Sequence, residues 1–358
     1  MKDKISMHQA GILVAFGILA NKVLLLPSLM FNQTKADSIF VLLILFALDF
    51  LALPIFFKLK RTYPEKKLFE ILAKFLTKFV AKIIFILLVV YMLFKALYTF
   101  NVVYDYFKQQ IYQDEFLWIA IICIVPVMNH AVITGLKATT RTMEILFGVV
   151  IAGVMLCFFI SFFTQISLPY FFISSAKQIF TGVYRYVFVF GDFTILFLLM
   201  DKIDVQKGKE KQLYFHALFA MAIVVVLFFI FYAKYQITAF MHNNALADIL
   251  VFSVQFNAIG RLDIIAMITI MTLATFQMEI FCIAFCESFV SIFPLLNKKW
   301  AVAVFDICFL LLYYVYVGKF EVMVQASTNW LVYLGLIVSY ILPIIFMILS
   351  FIKRRKNE

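Results

Sequence analysis

The sequence predicts an all-α integral membrane protein with ten transmembrane helices, and three observations carry that reading. Of 358 residues, 65% are hydrophobic and only 14% charged, whereas a soluble domain has roughly half and about a quarter. Ten apolar segments can be drawn, at about 9–31, 38–57, 80–107, 116–134, 143–164, 179–200, 213–233, 261–290, 300–318 and 328–352. Each is close to the roughly twenty residues that cross a bilayer as a helix. The basic residues between segments then alternate. Twenty-one Lys and Arg fall in the amino end, the even-numbered connections and the carboxyl tail, against Lys35, Lys108, Lys177, Lys234 and Lys319 in the others. Cytoplasmic loops collect Lys and Arg, so both termini are expected in the cytoplasm, with an even number of spans.

The first segment follows Lys2 and Lys4 as in a signal peptide, but Asn21 and Lys22 interrupt it and no small-x-small site follows. It reads as the first membrane helix. Residues 58–79 are highly charged, with Leu68, Phe69, Ile71, Leu72, Phe75 and Leu76 at helical spacing. That pattern predicts a cytoplasmic amphipathic helix on the membrane surface. Residues 165–178, with Leu168 and Pro169, read as an outer loop holding a short helix, and 234–260 as the other long outer connection. No soluble domain stands out. Residues 1–358 form one polytopic domain, with a five-plus-five division into about 9–164 and 179–352.

The net charge of +11 fits lysines and arginines facing anionic lipid. Without a basic-aromatic recognition motif, nucleic acid is not an expected partner. There is no G-x-x-x-x-G-K-[ST] phosphate loop and no H-E-x-x-H. His8, His130, His216 and His242 are scattered. Cys123, Cys157, Cys282, Cys286 and Cys308 all lie in apolar runs, as buried thiols do. Cys282 and Cys286 share a helix face but lack further ligands for a metal. No nucleophile with a base can be assembled. The chain is expected to be neither an enzyme nor a cofactor protein.

Transport-type folds place solute near the midplane, where two helices in corresponding positions are broken and freed backbone groups bind the ligand. A five-plus-five division makes helices 1 and 6 correspond. Helix 1 carries Gly17, Ala20, Asn21, Lys22 and Val23 before Pro27, and helix 6 carries Gly182, Phe190, Gly191 and Asp192. These residues either mark two breaks that bind ligand or are small residues that let helices pack closely. An intramembrane charge must face protein or water. Lys22 and Asp192 are therefore expected either to meet across the breaks or to act apart. In the first case the ammonium sits where an ion would; in the second, Lys22 snorkels and Asp192 caps a half-helix. Asp49, Lys95, Glu279 and Asp306 lie in other helices, and helix 8 adds Thr269, Thr272, Thr275 and Gln277. Tyr91 and Tyr98 share a face of helix 3. Tyr91, Lys95, Tyr98, Gln277 and Glu279 either line a cavity or serve as interhelical hydrogen-bond and aromatic packing partners. Arg261 and Asp263 read as an interfacial pair at the outer start of helix 8.

Several segments resemble the endospore germination permease family of the amino acid–polyamine–organocation superfamily, the B subunit of spore germinant receptors. They are Ile5-Ser6-x-x-Gln9, Leu24-Leu25-Leu26-Pro27, Gly135-Leu136-x-x-x-x-Arg141, Leu168-Pro169, Phe190-Gly191, Ile259-x-Arg261-Leu262-Asp263, and Leu342-Pro343 before Lys353-Arg354-Arg355. The resemblance rests on their order and spacing over nearly the whole chain. It implies a LeuT-like fold of two inverted five-helix repeats with helices 1 and 6 discontinuous, in the inner membrane of the spore. It implies partners as well: an A-type subunit, a lipoprotein C-type subunit, and a small nutrient such as an amino acid. The chain departs from the family pattern in three places. Ala20-Asn21-Lys22 stands where glycines are common, Asp192-Phe193 where a glutamate follows the helix 6 glycine, and Asn101 where helix 3 has an arginine. The reading that follows is a nutrient-sensing receptor subunit binding its solute at the two breaks. The alternative is a secondary amino acid transporter coupled to protons or sodium.

Overall fold

The computed structural model describes residues 4–111, 116–162, 167–206, 208–251, 263–316 and 320–348. Among them every regular element is a helix, apart from a single bridge between Ile5 and Ile203. Eight helical stretches are long and apolar enough to cross a membrane, and two shorter apolar helices, Met7–Ala20 and Ile121–Thr134, accompany them. Arg261, Lys319 and the basic tail from Lys353 lie outside the described residues, as does the side chain of Asp263.

Helix α1 (Met7–Ala20) starts at a capping box. Ser6 accepts from the Gln9 amide, and the Gln9 side chain accepts from the Ser6 amide. Two orphan donors of the first turn are thereby satisfied at once. The helix stops at Ala20, and α2 (Leu26–Thr34) begins after a gap of five residues with Pro27 in its first turn. Proline is tolerated there because that amide has no helical partner. The expected first segment is thus two helices. Its second half runs on through a 3-10 turn, Lys35–Asp37, into α3 (Ser38–Phe50) and α4 (Ala52–Thr62). Together they form one apolar helical stretch, Leu26–Thr62. Lys35, with φ at 51°, bends this stretch where an open loop had been expected.

The charged segment after it holds α5 (Leu68–Phe75), whose Leu68, Ile71 and Leu72 are buried. The helix packs on α6 (Lys78–Ile111), with Phe69 edge-on to Phe85 at 5.1 Å. Helix α7 (Phe116–Thr134) turns at Gly135 into α8 (Leu136–Ser161). Helix α9 (Ala176–Tyr186) opens with a second capping box, Ser175 with Gln178. It tightens to a 3-10 turn at Val187–Val189, loses helical form at Phe190, and resumes as α10 (Thr194–Leu198). The remaining elements are α11 (Glu210–Tyr235), α12 (Ala245–Val251), α13 (Asp263–Ile292), α14 (Lys298–Tyr316), α15 (Phe320–Thr328) and α16 (Leu331–Leu336). The last continues through a π turn, Ile337–Ile341.

Helix α1 sits at the centre, against α8, α11 and α13, and α6 packs along α13. All residues of α1 from Ala10 to Ala20 are buried. The exterior is apolar instead: Ile133, Ile145, Phe162, Leu311 and Tyr314 are all more than 60% exposed. A helix bundle with an apolar outside is solvated by lipid. A close backbone approach lies beside the second interruption, where Gly335 of α16 touches the Phe188 backbone; a Cβ there would meet Phe188 Cα at 2.9 Å.

Gly191→Ala should be among the most damaging small substitutions. Its φ of +83° disfavours any side chain, and a Cβ would fall 1.9 Å from Ser339 Oγ and 2.7 Å from the Tyr91 hydroxyl. Strain and overpacking each cost about 1–3 kcal/mol. Gly148→Ala, in open space on α8, should cost nothing measurable. Thermal unfolding in detergent should separate the two variants, and equal stability would contradict this packing.

Candidate functional site

The two interruptions face each other in the core. At the first, Val23 and Leu24 have left the helix, and their carbonyls accept from the Leu246 and Ala245 amides at 3.1 Å each. The start of α12 thus satisfies backbone groups that the break had freed. At the second, the Phe190 carbonyl accepts from Lys95 Nζ at 2.6 Å and the Tyr91 hydroxyl at 3.0 Å. The Val189 carbonyl accepts from Lys95 at 3.0 Å. The Gly191 amide donates to Asp49 Oδ2 at 2.9 Å and Oδ1 at 3.1 Å, and the Tyr340 hydroxyl donates to Asp49 at 2.9 Å. The broken backbone is held by side chains from α3, α6 and the π turn after α16.

Between the breaks lies an ion pair. Lys22 Nζ is 2.6 Å from Asp192 Oδ2, with side-chain exposures of 0% and 1%. Lys95 Nζ lies 3.6 Å from the other oxygen, Oδ1. The Lys22 ammonium also sits 4.8 Å over the Phe190 ring, where the negative face of the ring attracts it. Two buried ammonium groups, Lys22 and Lys95, thus balance two buried carboxylates, Asp49 and Asp192. Such a centre is tolerable only while every member keeps its partner. Removing one charge strands another, at about 3–5 kcal/mol, while exchanging both for apolar groups is often neutral.

The structure brings Lys22, Tyr91, Lys95, Phe190, Gly191 and Asp192 together. Gly17 lies inside α1, one turn before the break. A Cβ on it would meet Asp192 Cβ at 3.5 Å, and its carbonyl accepts from Gln277 at 3.3 Å. Ala20 and Val23 are buried at the two ends of Asn21-Lys22. Asn21 is buried with neither amide atom hydrogen-bonded among the described residues, and the Tyr98 hydroxyl is likewise unpartnered. The Tyr98 ring stands edge-on to Phe188 at 6.1 Å. Glu279 is not part of the group; it opens into a separate cavity between α7, α8 and α13. Asp49, Ser339 and Tyr340 belong to the centre without having been assigned to it. Of these, Asp49 alone carried a signal, as an acid in an apolar run.

Chemically, the centre offers two ammonium groups for a carboxylate, two carboxylates for an ammonium, and a free amide at Asn21. All are closed off from solvent in this conformation. Among the described residues no cluster of three or more His, Cys, Asp or Glu is arranged to hold a metal ion.

Lys22→Met alone and Asp192→Asn alone should each lower stability by about 3–5 kcal/mol, and the double substitution should restore a good part of the loss. A double-mutant cycle by thermal unfolding reads the coupling directly. Additive losses would mean that the two side chains do not act as a pair.

The sequence matches the family described as spore germination protein over residues 4–321. Among curated proteins, no match is found. The match covers most of the chain and spans both interruptions, and the chain therefore belongs to the spore germination protein family of membrane permeases.

Proposed function

We propose that the chain is the nutrient-sensing membrane subunit of a spore germinant receptor, and that a small solute such as an amino acid binds at the two interruptions. The observation that carries this reading is the buried Lys22–Asp192 pair joining them. A zwitterion entering between the two would set its carboxylate on Lys22 and Lys95 and its ammonium on Asp192. One ion pair becomes two, and no buried charge is left alone. A neutral solute or a simple anion has no such exchange available and would strand a charge. The Asn21 amide, unpartnered at the edge of the centre, can take a further polar group.

The proposed architecture is ten spans in two inverted repeats, about 9–164 and 179–352, with both termini cytoplasmic, in the inner membrane of the spore. The two capped half-helices support it. Ser6 with Gln9 starts one and Ser175 with Gln178 the other, and the helical path ends at Asn21 in the first and, after the 3-10 turn that follows α9, at Phe190 in the second, fifteen residues past each N-cap. Corresponding helices of a repeat should share such spacing. Opening the ion pair for ligand would shift the bundle between two conformations, and partner subunits of the A and C types would read the change. A transporter could use the same exchange; its mark would be net movement of solute.

In spores carrying the chain as the sole receptor of its class, at least one amino acid of a nutrient panel should trigger germination. Lys22→Met and Asp192→Asn should raise the concentration needed by about tenfold or more, which corresponds to about 1.4 kcal/mol of lost binding, when variant and wild type are compared at matched levels of folded protein. Unaltered responses in both variants would overturn the site. Gradient-driven accumulation of labelled amino acid in proteoliposomes would favour the transporter.

A further inference from the structure

A cavity of about 530 Å³ lies between the last turns of α7, the first turns of α8 and the middle of α13. It shares no residue with the ionic centre. Its polar lining is Thr134, Thr139, Thr142, Thr272, Thr275 and Glu279, with His130, itself exposed, also on the wall. Glu279 is 7% exposed. It makes no hydrogen bond or ion pair among the described residues, and no Lys or Arg lines the space. The hydroxyl hydrogens of four of the threonines are already used. Thr134 donates to the His130 carbonyl at 2.9 Å, Thr139 to Gly135 at 3.4 Å, Thr142 to Ala138 at 3.3 Å and Thr272 to Ile268 at 2.8 Å. A hydroxyl has one hydrogen and two lone pairs. With the hydrogen turned into its own helix, each of these threonines has only acceptor capacity left for the cavity.

We propose that this cavity is a second binding site, taking a monovalent cation, either an alkali ion or a small protonated amine, on the Glu279 carboxylate. A wall of acceptors around one unpaired buried carboxylate is complementary to a single positive charge. A lone carboxylate in the membrane is costly until it is matched. Calcium takes six to eight oxygens, typically several of them carboxylates, and only one carboxylate is present here. The volume exceeds the roughly 30 Å³ share of one water many times over, so the cation enters with water or with an organic body. The site borders the ionic centre through one wall. Phe276 lines the cavity and stands edge-on to Phe16 of α1 at 5.2 Å, while Gln277 holds the Gly17 carbonyl. A cation on α13 therefore bears on the half-helix that leads to Lys22.

The test uses the purified full chain in lipid nanodiscs, with labelled sodium, labelled rubidium as a potassium substitute, and labelled methylammonium as separate probes. At least one should bind saturably, at about one per chain, and which probe binds separates an alkali ion from an amine. Glu279→Gln should weaken that binding by about tenfold or more, and Thr275→Val by severalfold. Because Glu279→Gln could disturb folding, a second measurement stays with the wild-type chain. Carbodiimide attacks a protonated buried carboxyl, and the bound cation should slow modification of Glu279, read by peptide mass spectrometry. Failure of all three probes to bind saturably would overturn the site. So would binding that survives Glu279→Gln, or modification at the same rate with and without cation.

Discussion

The structure is organised around a charge constraint: four ionisable side chains, Lys22, Asp49, Lys95 and Asp192, buried together in the core. Lys22 and Asp192 touch at 2.6 Å, Lys95 closes on the second oxygen of Asp192, and Asp49 holds the Gly191 amide. Each charge must be matched within the group, because desolvation of one ion costs more than any single contact returns. That requirement fixes the neighbours. The helix through Gly17 lies within van der Waals reach of Asp192, α6 presents Lys95 to the Phe190 carbonyl, and Gly191 takes a left-handed turn that residues with a side chain rarely adopt. The two helix interruptions and the ionic centre are consequently one feature. At the second break the freed backbone groups bind Lys95 and Asp49, while at the first they pair with the start of α12 and the ion pair is carried by Lys22.

A sealed ion pair of this kind is suited to sensing. Under the proposed function it offers an exchange in which an incoming zwitterion restores every match it breaks. The same constraint explains selectivity in principle, since a ligand with one charge leaves a partner stranded at several kcal/mol. A ligand changes a conformational equilibrium only through its differential affinity for the two states. Under the proposed function that difference would come from the contact between the two interruptions that the Lys22–Asp192 pair now closes.

Much of this was legible in the sequence. Hydropathy marked an all-helical membrane protein, eight stretches of which, among the described residues, are long and apolar enough to cross, and the rule that buried charges need partners pointed to Lys22 and Asp192. The capping boxes at Ser6 and Ser175 have the form S-x-x-Q, and they fix where the two half-helices begin. Other parts were not legible, for physical reasons. Between Leu26 and Thr62 the polar run from Asn32 to Ser38 folds as a helix end, a 3-10 turn and a helix start, and polar composition alone does not distinguish such a turn from an open loop. The bond from Gly191 to Asp49 spans 142 residues, and local pattern says nothing about such a pairing. Gln277 and Glu279 were grouped together although they are two apart on a helix. Residues at that spacing point to different sides, and one reaches α1 while the other enters the cavity by α7 and α8.

The most direct measurement is a cryo-electron microscopy structure of the chain with an activating nutrient bound. The account predicts that Lys22 Nζ and Asp192 Oδ2 will have moved out of contact, with the carboxylate of the nutrient on the ammonium and its amine on the aspartate. A nutrient found elsewhere, with the two side chains still in contact, would contradict it.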